Sequence, residues 1–389
     1  MLRNDRTQEG SDVFMLGEWQ SLIENNNLDL VIKEVYEQLH SPVHNQSASV
    51  REFYANCCLL KSLSCEAPVE KTRWADEGLI FGGPDSPSAQ DLRAQLVDYR
   101  EATPTFVASN NPTERALNYP PIPERRNLPL EKFLTDHMLL QEPVVVRGLC
   151  STWRAVTRWN RPNFWSENFG HRFVPVEVGS YLHKEYKPEI ISIDTLINSF
   201  YTHRNFYLAE YDIFAQFPEL EEDVQPLPDF VHCGEVGNVR RNLFFGPAGK
   251  MSPLHFDPSD NLMVVVSGRK FVRLFSPVET GKLHHKTRDG LTNVTELPDD
   301  LDEPGIHEKF PALKEAEAME AVLDPGDVLF IPKSWWHWVV SLDVSISLAL
   351  FFSCVVLCLF LLFEGIYVFT GFDTALATPS VFQSSITNI

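Results

Sequence analysis

The chain has 389 residues, of which 44% are hydrophobic, and its 33 basic and 53 acidic residues give a formal net charge of −20. This length can hold one large domain and a smaller one, and the hydrophobic content can fill a substantial core. The acidic balance argues against direct binding to nucleic acid, which needs clustered Lys and Arg, and it favours a basic partner such as a Lys- and Arg-rich polypeptide.

Residues 1–66 have the pattern of a small helical region. Hydrophobic residues recur at three- and four-residue spacing over 31–39, and residues 47–63 repeat this spacing. Such a period is typical of amphipathic helices, so two or more antiparallel helices are predicted. The first residues are polar and acidic without an apolar core, and no secretory signal is expected there.

The cysteines bear on the compartment in which the protein works. There are seven, an odd number, and they are scattered without a Cys-x-x-Cys pair. This usage predicts a reduced compartment, the nucleus and/or the cytoplasm, and no structural zinc.

Residues 67–127 are predicted to be a linker that carries one helix. The segment 66–86 is mixed in composition and rich in turn residues, whereas 88–101 has a helical pattern. Residues 103–129 are rich in proline and asparagine, which predicts an extended connection. The second domain is therefore expected to begin near Leu128.

Residues 128–352 change to the pattern of a mainly β domain. Short β-rich runs are separated by Gly, Pro or Asp, and they lie at 142–149, 173–181, 204–211, 241–247, 261–277, 327–332 and 344–352. Few long helical segments intervene, so there is no βαβ rhythm. The pattern predicts an antiparallel two-sheet jelly roll of the cupin type, a double-stranded β-helix, with flanking helices.

Three residues of this domain have the chemistry of a metal site. His255 and Asp257 are two residues apart, so on a strand they would point to the same side. Chance alone gives about 1.6 His-x-acid triplets from 12 × 53/389, so the triplet needs support from its context. His337 follows a buried run and a proline, and two histidines with one carboxylate form the facial arrangement of non-haem Fe(II) oxygenases.

Lys270 supplies a cation beside this site. It lies 15 residues after His255, in a run in which Lys270, Val272 and Leu274 share one face. A lysine on an inward apolar face is costly unless an anion pairs with it. The distal carboxylate of 2-oxoglutarate would be that anion, with hydroxyl donors from Ser252 and Tyr207 beside it.

Four motifs together resemble the JmjC oxygenases: residues 174–180, 205–220, 245–277 and 324–339. The resemblance covers roughly 128–352 and implies a catalytic domain that uses Fe(II), 2-oxoglutarate and O₂. It implies iron at His255, Asp257 and His337. The implied 2-oxoglutarate contacts are Tyr207, Ser252, Asn261 and Lys270.

The resemblance also implies a pocket for a basic side chain, with Glu177 as its acidic contact. Phe244 stands where the family usually has tryptophan, and Glu210 where it has glutamine. The family's activities are arginyl hydroxylation and histone H3 lysine demethylation, and the sequence leaves both open. We expect the extra carboxylate and the lost tryptophan to favour arginine, with Trp336 as a second aromatic surface on the rim of the site.

The carboxyl-terminal region is a hydrophobic tail, residues 353–389. Residues 346–363 are uncharged and long enough for a membrane helix, but 346–352 match the last strand of the domain. We therefore expect an appendage rather than a membrane anchor. Two alternatives stay open: a membrane-tethered oxygenase, and a catalytically inactive cupin-like adaptor that binds through its helices.

Overall fold

The computed structural model describes residue 23 and residues 27–39, 47–98, 115–161, 163–180, 187–200, 206–233, 239–288 and 291–353. The helices of these ranges are α1 Leu28–Leu39, α2 Ala48–Ser64, α3 Pro68–Gly82, α4 Ala89–Ala94, α5 Leu130–Phe133, α6 Arg154–Arg158, α7 Phe164–Phe169, α8 Ile193–Ser199, α9 Ile213–Gln216 and α10 Ile306–Lys309. A π-helical turn, Leu134–Met138, continues α5.

The strands are β1 Glu124–Arg125, β2 Val144–Val146, β3 Phe173–Val178, β4 Lys187–Ser192, β5 Phe206–Tyr211, β6 Arg240–Gly246, β7 Met251–Phe256, β8 Asp260–Ser267, β9 Lys270–Phe275, β10 His285–Arg288, β11 Leu291–Thr295, β12 Ala318–Leu323, β13 Val328–Ile331, β14 Trp336–Ser341 and β15 Ser345–Phe352. They form two sheets. The larger has the order β1-β2-β13-β8-β15-β6-β5-β3-β4, and the smaller has the order β10-β11-β7-β14-β9-β12.

The two sheets share an inner hydrophobic core. Met263 and Leu329 of the larger sheet pack there with Val272 and Val339 of the smaller one. Helices cover the outer face of the larger sheet, and residues 297–316 cover that of the smaller one. The predicted jelly roll with flanking helices is confirmed.

The amino-terminal helices contact the barrel through the helix α3. The prediction that residues 66–86 are rich in turns is wrong, because α3 is a 15-residue helix that packs on α2 and β3. Its buried positions include Thr72, Ala75, Asp76 and Gly78, which have small or polar side chains. A Cβ at Gly78 would lie 2.8 Å from a methyl carbon of Leu92 and 3.0 Å from Cys58 Cβ, so glycine allows the helices to pack closely here. Small and polar buried residues leave no apolar period in the sequence, which is why pattern reasoning missed this helix.

One predicted helix boundary also differs from the structure. The helix predicted at 88–101 is shorter: α4 ends at Ala94, residues 96–98 are not helical, and later residues lie outside the described ranges. Residues before Leu128 also contact the barrel, because the backbone N–H of Ile122 donates to the Glu320 carbonyl at 2.9 Å. This contact is made by backbone hydrogen bonds, which do not depend on the side chains and so cannot be recognised from a proline-rich sequence.

The last strand, β15, confirms the interpretation of residues 346–352 as part of the barrel. The predicted tail falls outside the described residues from 354 onward. No helix in the described ranges is long and apolar enough to cross a membrane.

Candidate metal and co-substrate site

The three predicted metal ligands come together between two neighbouring strands. His255 of β7 and His337 of β14 are paired in register, and their ring centroids are 4.2 Å apart. Asp257 follows the end of β7, and its Oδ2 lies 3.5 Å from His337 Nε2. One ligand atom from each residue can be chosen so that all three lie within 4.8 Å of one another, a spacing that suits one metal ion.

The environment of these side chains fits a divalent metal ion. Nδ1 of His255 is 2.8 Å from the Pro253 carbonyl, and Nδ1 of His337 is 3.0 Å from the Trp335 carbonyl. A carbonyl oxygen only accepts, so each Nδ1 carries a proton and each Nε2 keeps its lone pair for a metal. Asp257 Oδ1 is buried without a hydrogen-bond partner. A metal would satisfy that oxygen, which otherwise costs free energy in the interior.

His337 is held in the neutral form that a metal ligand needs. Burial lowers the pKa of His337 to about 4, and His255 adds to this effect, while Asp257 and the Trp335 carbonyl oppose it. The imidazole is therefore unprotonated at neutral pH, and a metal need not displace a proton from it.

A β-bulge turns Ser252 and His255 toward the same cavity. His255 pairs with His337 and Ser252 pairs with Val339, so two residues of β7 oppose one residue of β14. The extra residue reverses the usual alternation along β7. Ser252 and His255 can therefore line the same site although they are three residues apart.

Lys270 is a buried residue that lines this cavity. Its side chain is only 2% exposed, and its Nζ donates a hydrogen bond to Tyr207 Oη at 3.2 Å. Burial lowers the pKa of Lys270 to about 7. Burial also raises the pKa of Tyr207, the charge of Glu177 adds to it, and a hydrogen bond with Ser252 opposes it.

Asn261 completes the four residues predicted to contact 2-oxoglutarate. It lies on β8 and lines the same cavity, and its Oδ1 is buried without a hydrogen-bond partner. All four predicted contacts therefore border the cavity that holds the three metal ligands.

Gly246, which the sequence analysis did not single out, makes room for Tyr207. A Cβ at Gly246 would lie 2.3 Å from Tyr207 Cδ2, closer than real contacts allow. The side chain of Tyr207 can hold its place beside Lys270 only because residue 246 has no side chain.

The three residues predicted to contact substrate line the cavity as well. Glu177, 9% exposed, pairs with Tyr207 in the β3–β5 ladder, and Phe244 lies on β6. Glu210 lies in a bulge of β5, where it and Ala209 together oppose Phe244. Its φ of 51° is in the left-handed region, which is strained for a residue with a Cβ and re-aims its side chain.

Two cations that sequence reasoning missed interact electrostatically with these carboxylates. The ammonium of Lys250 feels the charge of Glu177, and the guanidinium of Arg240 feels the charges of Glu210 and Asp257. Arg240 also lies over the ring of Phe351, 4.5 Å from its centroid. Lys250 lies two residues before Ser252, and residues two apart on an extended segment point to the same side. This spacing was the signal by which the sequence could have placed Lys250 at the cavity. The electrostatic interaction of Arg240 with Glu210 depends on strand pairing and had no such signal.

Trp336 does not lie on the rim of the site as expected. It is 1% exposed, packs edge-on against Phe256 at 4.8 Å, and donates a hydrogen bond from Nε1 to Thr280 Oγ1. Residues alternate along β14, so His337 faces the cavity while Trp336 and Trp338 face the outer core of the smaller sheet.

Comparison with known proteins bears on the family of the chain. The model of the cupin-like domain family matches residues 129–355. The chain is 35% identical over 238 residues to lysine-specific demethylase 8 of Xenopus tropicalis, covering 60% of this chain and 53% of that protein. It is 35% identical over 248 residues to lysine-specific demethylase JMJ30 of Arabidopsis thaliana, covering 61% and 56%. Jumonji C domain-containing protein 5 of Drosophila melanogaster is 29% identical over 339 residues, covering 81% and 83%.

These matches confirm the resemblance predicted from the four motifs. The chain spans little more than half the length of the first two relatives. Their names describe lysine demethylation by those proteins.

Proposed function

Since the chain belongs to the cupin-like domain family, we propose that it is an Fe(II)- and 2-oxoglutarate-dependent oxygenase of the JmjC type that modifies basic side chains of proteins. The observation that carries this proposal is one cavity that contains both the His255, Asp257 and His337 cluster and the buried amine of Lys270. An adaptor has no need of a buried lysine and an unsatisfied carboxylate oxygen, each of which costs free energy. Their retention favours the enzyme over the inactive adaptor.

Each residue of the cavity has a distinct part in this activity. His255, Asp257 and His337 would hold Fe(II) on one face and leave its other positions open. Lys270, with the hydroxyls of Tyr207 and Ser252, would bind the distal carboxylate of 2-oxoglutarate, and Asn261 would orient its other end. When bound, the metal and the co-substrate supply the oxidation of a C–H bond by O₂ with loss of CO₂. The protein holds the groups in position and excludes water.

The lowered pKa of Lys270 predicts a pH dependence of co-substrate binding. The amine is protonated below pH 7 and ready to pair with a carboxylate, whereas above pH 7 binding requires uptake of a proton. From pH 7 to 8.5 the Kd for 2-oxoglutarate should therefore rise roughly fifteenfold, because the protonated fraction of an amine with a pKa of about 7 falls by that factor. Calorimetry on Mn(II)-loaded protein measures this without turnover.

Lys270→Ala is the matched variant for this measurement. It should bind 2-oxoglutarate weakly at every pH, without the pH dependence, because the titrating amine is gone. Its Michaelis constant for a peptide substrate should change far less. A Kd that is flat with pH in the unmodified protein would contradict the assignment of Lys270.

For the substrate, we propose that arginine is hydroxylated more efficiently than methylated lysine is demethylated. A guanidinium can engage the Glu177 carboxylate with two hydrogen bonds, whereas a dimethylated ammonium has one N–H and relies on aromatic faces. Those faces carry cations of the protein itself: Lys250 Nζ lies 5.2 Å from the Tyr207 centroid, and Lys270 Nζ lies 5.6 Å from that of Phe244. Trp336, buried in the outer core, offers none.

A matched pair of peptides tests this choice. One carries arginine and the other dimethyl-lysine at the same position, and mass spectrometry distinguishes the gain of an oxygen atom from the loss of a methylene group. Only the arginine peptide should be oxidised efficiently, and Glu177→Gln should raise its Michaelis constant roughly tenfold because one charge-assisted hydrogen-bond pair is lost. Efficient turnover of dimethyl-lysine that Glu177→Gln leaves unchanged would instead assign demethylation.

The same proposal includes the partner and the compartment. The substrate is a basic polypeptide, such as a histone tail or another Arg- and Lys-containing segment, met in the nucleus and/or the cytoplasm. The net charge of −20 supports attraction of such a chain and opposes direct binding to nucleic acid.

A further inference from the structure

Lys250 lies on the turn between β6 and β7, next to the cavity. Its backbone is fixed by two hydrogen bonds with β14: Ser341 N–H donates to the Lys250 carbonyl at 2.9 Å, and Gly249 N–H donates to the Ser341 carbonyl at 2.7 Å. The turn therefore holds the start of the side chain in place, and the side chain lines the cavity.

The ammonium of Lys250 makes the set of contacts that a bound cation makes. It donates a hydrogen bond to the Gly179 carbonyl at 2.8 Å and lies 5.2 Å from the centroid of the Tyr207 ring. Burial lowers the pKa of Lys250, and the charges of Glu177 and Asp299 oppose that change. A carbonyl oxygen, an aromatic face and carboxylates together form a cation-binding site.

These are also the groups that a basic substrate side chain would use, because Glu177 is the acidic residue of the cavity proposed to bind it. We propose that Lys250 is an internal occupant of the cation-binding end of the substrate cavity, and that an incoming guanidinium must displace its ammonium. This inference rests on the proposed function in taking a basic side chain as the substrate. Lys250 thereby sets the affinity for substrate: it weakens the binding of cationic side chains and leaves that of neutral side chains unaffected.

Lys250→Met tests this competition, since it keeps the length of the side chain and removes its charge. With Mn(II)-loaded protein and 2-oxoglutarate, calorimetry should show roughly tenfold tighter binding of an arginine peptide to the variant, because no charge-assisted hydrogen bond has to be broken. A peptide with citrulline, the neutral isostere of arginine, should bind both proteins equally. Lys61→Met, which removes a positive charge from α2 outside the cavity, should leave the arginine peptide's Kd unchanged.

Chemical labelling of the unmodified protein gives a second readout. If the ammonium is displaced, the arginine peptide should increase the rate at which an amine-reactive reagent modifies Lys250, as measured by mass spectrometry, and the citrulline peptide should not. Unchanged or weaker binding of the arginine peptide to Lys250→Met would overturn the proposal and would make Lys250 a direct substrate contact or a bystander. Failure of both proteins to bind the peptide would also contradict it.

These measurements are separate from the test of the oxygenase activity. Tighter binding to Lys250→Met without any oxidation of the peptide by the Fe(II)-loaded protein would retain the role of Lys250 and reject the oxygenase. Oxidation of the arginine peptide, together with equal affinity of both proteins for it, would support the oxygenase and reject the role of Lys250.

Discussion

Replacing Asp257 with alanine is expected to abolish metal-dependent turnover while the fold survives. The carboxylate is the one anionic member of the ligand cluster, so its loss removes both a ligand atom and the charge that balances the metal. We expect 2-oxoglutarate decarboxylation to fall by at least about a thousandfold, because metal catalysis supplies several kcal/mol and each 1.4 kcal/mol is tenfold in rate. His255→Ala should behave in the same way.

Metal content and melting temperature separate this effect from unfolding. Mn(II) should raise the melting temperature of the unmodified protein and leave that of Asp257→Ala unchanged, because only the former binds it. Without metal the two should be about equally stable, since the variant loses a buried oxygen that has no hydrogen-bond partner. His285→Ala, which removes an exposed imidazole outside the cluster, should bind metal normally. Decarboxylation retained in Asp257→Ala would reject the metal site.

Replacing Asp76 with alanine is expected to have the largest effect on stability. Asp76 of α3 is fully buried and accepts hydrogen bonds from the guanidinium of Arg172, from the backbone N–H of Phe173, and from Gln216 Nε2 at 2.7 Å. Its loss leaves a buried guanidinium without its partner, at a cost of about 3–5 kcal/mol. Urea denaturation followed by circular dichroism measures this change.

This variant also tests how the helices are joined to the barrel. Asp76 lies on a helix, whereas Arg172, Phe173 and Gln216 belong to the jelly-roll part of the chain. We expect the unmodified protein to unfold in one transition, and Asp91→Ala, an exposed change on α4, to alter the free energy of unfolding by no more than about 0.5 kcal/mol. If Asp76→Ala lowers the free energy of unfolding by less than about 1 kcal/mol, the buried cluster contributes little to stability.

The sequence alone was sufficient for the fold class, and most of the residues that it selected for the candidate site line one cavity. Strands alternate with a period of two, so local spacing was enough to predict that Lys270 faces inward with Val272 and Leu274, and the structure has all three on the inner side of the smaller sheet. The same reasoning, with the family motifs, selected His255, Asp257 and His337, which the structure brings together. Such residues can be predicted because a short segment of the sequence contains both their chemical type and their spacing along the strand.

Other features were decided by packing between segments far apart in the chain. The bulges in β5 and β7 depend on the strands beside them, and they alone direct Glu210 and Ser252 into the cavity. Helix α3 buries Asp76 against Arg172, 96 residues away, and so has no apolar period by which to recognise it. The electrostatic interactions of Lys250 with Glu177 and of Arg240 with Glu210 arise only after the sheet has formed. Electrostatic contacts act through space and not along the chain, so the charge balance of the cavity, and with it the choice of substrate, is a property of the tertiary structure.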